Sequence, residues 1–266
     1  MSDVVFFGDV LGFAALSMTD VGSAERALDD VSLLFSDQDE ITKLLQVGSP
    51  WTARYGLSDS IFLIAEDDVA AAEAAAQFFF HLAYLNASVH ERVLMRGALA
   101  RGEVRTRGPI FPESARGNVV GEAVVKAAML EKSGAKGPRL LVDDAVASKL
   151  AGSSVEWLLD DSEGPKELLW ILPPDPSDRD ISHLRPVVEA AADAFLSAPE
   201  NVAEHYVAYI DLVLRALARL RTVDLNMARA LVGSFDAAAV ARRLDHLVAR
   251  REPLERRTLR RLDALS

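Results

Sequence analysis

Two aspartates at junctions between turns and apolar strands are the residues best suited to hold a divalent cation. Asp9 ends the apolar run 4–7, which predicts a strand buried on both faces. Asp59 lies in a Ser-Asp-Ser turn directly before the apolar run 61–64. A carboxylate is costly to bury without a compensating cation, and two close carboxylates repel unless a cation lies between them. The sequence therefore predicts that Asp9 and Asp59 meet on neighbouring strands.

A glycine follows Asp9 and predicts a close turn of the backbone. Gly12 allows such a turn, so the amides of residues 10–13 are expected to face an anion. A carboxylate beside these amides suits a metal ion bound to a phosphate. The alternatives are that Asp9 ends a core strand and caps the next turn, and that Asp59 only forms its turn.

Four segments, taken in order, carry a resemblance to a known family. Phe-Gly-Asp-Val-Leu-Gly-Phe at 7–13, Ser-Asp-Ser-Ile at 58–61, Arg-Gly-Ala-Leu-Ala-Arg-Gly-Glu at 96–103 and the segment 121–131 resemble the class III nucleotidyl cyclases. The resemblance covers residues 3–172. It is closest to the bacterial pyrimidine cyclases of the Pycsar antiphage defence system, which make cyclic CMP or cyclic UMP.

This resemblance implies a reaction, a cofactor and a partner. The expected reaction converts UTP or CTP to the 3′,5′-cyclic monophosphate and pyrophosphate, with two Mg²⁺ or Mn²⁺ ions per site. The expected active unit is a homodimer whose two sites are shared between protomers. The alternatives are an adenylate or guanylate cyclase, and an inactive cyclase-like domain that binds a nucleotide as a sensor.

The resemblance also assigns residues. The metal ligands are Asp9, Asp59 and the main-chain oxygen of Val10. Base choice in the family depends partly on the position four before the second aspartate, which is Tyr55 here; a strand tyrosine packed beside Trp51 is the alternative. The residues expected to bind substrate are Leu11, Gly12, Phe13, Arg54, Tyr55, Arg101, Asn118 and Lys166.

One helix departs from the family pattern. Where purine cyclases commonly carry an asparagine and an arginine, this chain has Val125 and Met129, which cannot hydrogen-bond usefully. Lys126 is the residue expected to supply the catalytic positive charge, with Arg101 and Arg116 as other candidates. An ion pair between Lys126 and Glu122 on the helix surface is the alternative.

Composition excludes several classes of function. The net charge of −11 argues against a general nucleic-acid binder. The absence of cysteine excludes disulfides and thiolate metal sites. No apolar run approaches the length of a membrane span, and no basic leader begins the chain. We expect a soluble cytoplasmic protein that binds neither nucleic acid nor membrane, with five structural histidines.

The hydrophobic patterns predict an α/β (α+β) chain in two parts. A ferredoxin-like nucleotidyl cyclase sandwich is expected at 1–172, with strands at 51–57, 60–65 and 93–104, a loop at 105–117 and helices at 24–45 and 119–132. A proline-rich linker follows at 173–180. An all-helical extension occupies 181–266, and its apolar stripe either adds dimer surface or packs on its own domain. That stripe consists of Val207, Ile210, Leu214 and Leu217.

Overall fold

The computed structural model describes residues 2–44, 49–87, 93–107, 118–133, 136–161, 165–173, 182–248 and 253–265. Within them the chain has a mixed α+β architecture. The strands are β1 Ser2–Val10, β2 Trp51–Leu57, β3 Ser60–Ala65, β4 Met95–Arg107, β5 Asn118–Gly121, β6 Leu140–Val142, β7 Leu159–Asp160 and β8 Glu167–Leu168. They form one sheet in the order β2-β3-β1-β4-β6-β8-β7, and β5 pairs with β4. All pairs are antiparallel except β4 with β6.

The helices lie before, between and after these strands. They are α1 Phe13–Thr19, α2 Val21–Leu44, α3 Asp68–Asn86, α4 Glu122–Glu131, α5 Asp144–Leu150, α6 Leu184–Ser197, α7 Ala203–Val223, α8 Leu225–Val232, α9 Ala237–Val248 and α10 Pro253–Leu265. The predicted α+β fold class with a C-terminal helical part is therefore confirmed.

The two faces of the sheet carry cores of different size. Alternate residues of a strand point to opposite faces, so Phe6 joins the large core that also contains Phe79 and Trp170. Val5 and Phe7 join a small core beneath α4. By the same alternation, Asp9 lies at the end of β1 on the side of the sheet that α4 covers.

The predicted loop and helix around residue 119 were partly wrong. Residues 105–107 continue β4, and residues 118–121 pair with them as β5, so α4 begins only at Glu122. Gly121 fixes this boundary because its φ is 149° and a Cβ there would collide with the Glu103 carbonyl group. Residues 108–117 and the predicted linker beyond Pro173 lie outside the described residues.

A buried network of charges joins the C-terminal helices to the edge of the sheet. Arg215 of α7 binds Asp160 of β7 at 2.6 Å, Glu167 of β8 at 2.5 Å and Asp211 at 3.1 Å. These four side chains are almost completely buried. Glu167 also accepts a hydrogen bond from Arg139, at the start of β6. The helical part is therefore tied to the sheet by paired charges as well as by the shared large core.

The apolar stripe predicted on α7 lies inside the chain. Val207 and Leu214 are 0% exposed, and Ile210 and Leu217 are 1% exposed. They belong to the same core as Trp170, whose ring packs near Tyr209. These four residues pack within their own protomer, so the alternative that they add dimer surface is wrong.

Breaking the network is expected to cost much of the folding free energy. In Arg215→Met the three buried acids would lose the cation they share and keep Arg139, Arg219 and Arg261 as their second partners. Removing one partner from a buried ion pair typically costs about 3–5 kcal/mol. The free energy of unfolding in urea measures this loss. Arg105→Met is the matched control, because Arg105 pairs with Glu103 on the surface and such pairs contribute about 1 kcal/mol or less. Equal losses in the two variants would contradict the expectation.

Candidate functional site

The end of β1 places Asp9 in a row of polar residues across three strands. In the register of the sheet, Asp9 lies opposite Ser60 of β3 on one side and Arg96 of β4 on the other. Ser60 Oγ donates a 2.8 Å hydrogen bond to Asp9 Oδ1. The Arg96 Nη2 atom lies 3.7 Å from Asp9 Oδ2. The carboxylate is thus oriented from both neighbouring strands.

Asp59 lies beside Asp9 at the same edge of the sheet. The Val10 amide donates to the Asp59 carbonyl oxygen at 3.1 Å, which ties the β2–β3 turn to the end of β1. Ser58 precedes it with a φ of 55°, the left-handed conformation that closes this tight turn. The two predicted metal ligands are therefore brought together.

Electrostatics at this edge favours a bound cation. Burial raises the pKa of Asp9, and the nearby Asp59 carboxylate raises it further, whereas the Ser60 hydrogen bond and the Arg96 charge lower it. A divalent cation between the two aspartates would remove their mutual repulsion. Carboxylate and main-chain oxygens are the donors that Mg²⁺ and Mn²⁺ prefer. Among the described residues, no three acidic or histidine side chains meet in a metal-binding cluster, so the fit rests on two carboxylates and main-chain oxygen.

The turn after Asp9 offers fewer amides to an anion than predicted. Val10 and Leu11 already donate their amides, to the carbonyl oxygens of Asp59 and Leu94. Gly12 has a φ of 77° and precedes the first turn of α1. The prediction that four amides face an anion is therefore wrong for Val10 and Leu11. It remains a prediction for the amides of Gly12 and Phe13.

The residues predicted around the base lie on β2. Tyr55 is half-buried and packs against the small core on the α4 side of the sheet. A register shift between Trp51 and Ala53 puts Trp51 in the large core instead, so Tyr55 does not pack beside Trp51. Arg54 is exposed, and its guanidinium donates a 2.9 Å hydrogen bond to Ser49 Oγ.

Two predicted substrate residues lie far from Asp9 within one chain. Arg101 stands five positions along β4 from the partner of Asp9, about 17 Å away at the usual rise of a strand. There it pairs with Asp68 at the start of α3 and donates to the Ser2 carbonyl oxygen. Asn118 lies opposite Arg107 at the far end of β4, about 36 Å from Asp9. Within one protomer Asn118 is therefore too far from Asp9 to share a nucleotide with it, whereas Arg101 is engaged by Asp68.

The predicted lysines are also held away from Asp9. Lys126 forms an exposed ion pair with Glu122 at 2.7 Å, as in the surface alternative. Lys166 pairs with Asp144 at 2.9 Å, immediately before β8. Strand β8 is three strands from β1, which is about 14 Å. On α4 itself, Val125 and Met129 are exposed side chains, at 58% and 69%.

Three residues at the Asp9 end of the sheet had no predicted role. Ser60 and Arg96 contact Asp9, and Glu131 contacts Arg96. Ser60 follows Asp59 directly and could have been found from the hairpin register. Arg96 and Glu131 belong to the segments that carry the family resemblance, but only the packing of α4 on β4 brings them together.

Comparisons with known proteins give similarity at the level of structure. No family model and no curated protein match the chain. The solved structures that it is similar to include adenylyl and guanylyl cyclases. The guanylyl cyclase Cya2 is 14% identical, with a TM-score of 0.49 over 64% of this chain and 92% of its own. The adenylyl cyclase CyaB from P. aeruginosa is 16% identical, with a TM-score of 0.45 over 62% of this chain and 91% of its own.

A third structure was solved with a nucleotide analogue. It is the catalytic core of a rhodopsin-guanylyl cyclase with converted specificity, in complex with ATPαS. It is 17% identical, with a TM-score of 0.46 over 62% of this chain and 92% of its own. Because the identities and TM-scores are this low, the function has to be argued from the chain's own residues.

In the part of the chain that the structure describes, no helix has the length and apolarity to cross a bilayer.

Proposed function

We propose that the chain is a nucleotidyl cyclase that converts UTP or CTP to the 3′,5′-cyclic monophosphate and pyrophosphate. The observation that carries this proposal is that Asp9 and Asp59 lie together at one end of the central strands. Asp9 is half-buried there, and its pKa is raised. The pyrimidine preference and a role in antiphage signalling rest on the resemblance of the sequence motifs, with Tyr55 as the distinguishing residue.

The proposed site consists of two groups of residues with different roles, and the first group binds the metal ions and the phosphates. Asp9, Asp59 and the Val10 carbonyl oxygen would hold the two Mg²⁺ or Mn²⁺ ions, which favour the 3′-alkoxide and neutralise the departing phosphates. Ser60 fixes the orientation of Asp9. Gly12 and Phe13 would present their amides to the phosphates. Lys126 would have to leave Glu122 to supply charge near the reacting phosphate.

We propose that the second group comes from another protomer. Tyr55 and Asn118 would read the base, and Arg101 and Lys166 would bind phosphate oxygens. Asn118 lies about 36 Å from the Asp9 of its own chain, so a site that uses both residues needs two chains. We therefore propose a homodimer with two shared sites.

A sensor without catalysis is the second candidate, and a specific observation favours it. Val125 and Met129 are exposed where the purine cyclases carry hydrogen-bonding residues, and Lys126 is engaged by Glu122. A site with this surface can bind a nucleotide and its metal ions without stabilising the transition state.

One assay separates these candidates. The purified chain is incubated with each of the four nucleoside triphosphates and Mn²⁺, and the cyclic products are identified by mass spectrometry. We expect cyclic UMP or cyclic CMP. Cyclic AMP or cyclic GMP alone would contradict the pyrimidine assignment. No cyclic product, together with nucleotide binding, would favour the sensor.

The Tyr55→Lys variant tests the base-reading residue. Replacing the aromatic ring by a mobile cation is expected to lower pyrimidine turnover about 10- to 100-fold, because contacts to the base would be lost. No clean switch to ATP is expected, since specificity needs several coordinated contacts. Competition among UTP, CTP and ATP measures the effect. Thr52→Lys, an exposed substitution on the same strand, is the control. Unchanged competition in Tyr55→Lys would remove Tyr55 from the pocket.

A further inference from the structure

Glu131, the last residue of α4, is a buried carboxylate that the proposed reaction does not use. It is 2% exposed, and burial raises its pKa. Its Oε1 atom forms an ion pair with Arg96 Nε. In the described part of the chain, no other group hydrogen-bonds this carboxylate. A buried charge with one partner is costly, so this pair calls for a reason beyond stability.

Arg96 is shared unequally between two carboxylates. Its Nε contacts Glu131, whereas its nearest approach to Asp9 is the 3.7 Å between Nη2 and Oδ2. The latter distance is longer than a hydrogen bond. Asp9 therefore keeps one oxygen bound to Ser60 and the other without a full bond to the guanidinium.

The position of this guanidinium matters for a cation at Asp9. An arginine that paired fully with Asp9 would occupy its free oxygen and would repel a divalent ion. Glu131 attracts the guanidinium through its Nε atom and offsets its charge. Glu131 thus competes with Asp9 for the Arg96 guanidinium.

We propose that Glu131 is a positioning residue that holds Arg96 away from Asp9 and so keeps the Asp9 carboxylate available to a divalent cation. This inference rests on the proposed function, since it takes Asp9 as a metal ligand. A purely structural pair would instead brace the end of α4 against β4, and its loss would weaken the site whichever partner were removed.

The test measures Mn²⁺ affinity directly, by electron paramagnetic resonance of free Mn²⁺ titrated with the full chain. In Glu131→Gln the guanidinium is released to Asp9, and we expect the Mn²⁺ dissociation constant to rise about tenfold. In the double variant Arg96→Gln, Glu131→Gln the competing charge is gone, and the affinity should return to within about threefold of wild type. Glu103→Gln, an exposed glutamate paired with Arg105, is the matched control and should bind as wild type does.

The outcomes separate the two proposals. Equal Mn²⁺ affinity in wild type and Glu131→Gln overturns the positioning role and leaves the metal site standing. A double variant as weak as Glu131→Gln also overturns it, because a bracing pair would give that result. If Glu131→Gln does not fold, the double variant decides alone, since more than tenfold weaker binding contradicts the proposal. Wild-type protein that binds no Mn²⁺ would overturn the metal site, and the positioning role with it.

Discussion

Asp9→Asn and Asp59→Asn are each expected to lower product formation about a thousandfold or more. Each change removes one negative charge from the proposed cation site with almost no change in volume. A metal ion contributes several kcal/mol of transition-state stabilisation, and each 1.36 kcal/mol is worth tenfold in rate. The rate is measured with saturating Mn²⁺ and the preferred nucleotide, so that weaker metal binding alone cannot account for a lower rate.

Stability measurements distinguish a lost ligand from a lost fold. The raised pKa of Asp9 means that the folded protein disfavours its charged form, so an uncharged asparagine should not lower the melting temperature. Excess Mn²⁺ should raise the melting temperature of wild type but not of Asp9→Asn, because only a binding-competent native state is stabilised. Asp29→Asn, an exposed substitution on α2, is the control. Near-wild-type turnover in either site variant would show that its aspartate is not a ligand.

The contacts around Asp9 were only partly predictable from the sequence. The pairing of Asp9 with Asp59 followed from local patterns, because each aspartate is fixed by its own strand and turn. The meeting of Arg96 with Glu131 did not, because it depends on how α4 packs across β4. A sequence pattern gives the face of a helix, whereas the depth and register of packing depend on the whole core.

The boundary between β5 and α4 illustrates the same limit in the fold. Val119, Val120 and the residues after them fit a helical repeat, so a helix from 119 was the natural expectation. Residues 118–121 are a strand because they pair with residues 104–107, and that pairing is not visible from either segment alone. By contrast, the start of α3 depends on local contacts alone, since the Asp67 side chain accepts hydrogen bonds from the amides of Val69 and Ala70 within the same turn.

The distances in the sheet also make the shared site testable by mixing two inactive variants. Asp59→Asn removes a proposed metal ligand, and Tyr55→Ala removes a proposed contact to the base. If each site takes its metal ligands from one protomer and its base contacts from the other, a mixed dimer has one intact site and one doubly damaged site. Random mixing makes about half of the dimers mixed, so about 25% of the wild-type sites should be restored.

Two features of the structure are compatible with the proposed dimer. Asn118 lies about 36 Å along β4 from the position of Asp9, so the proposed base contact from Asn118 needs a second chain. The exposed apolar side chains of Val120, Val125 and Met129 offer a surface that a partner could cover. Each variant is first shown to be inactive alone. The two are then mixed under conditions of subunit exchange, and native mass spectrometry counts the mixed dimers. Mixed dimers without recovered activity would show that each site is built from a single chain.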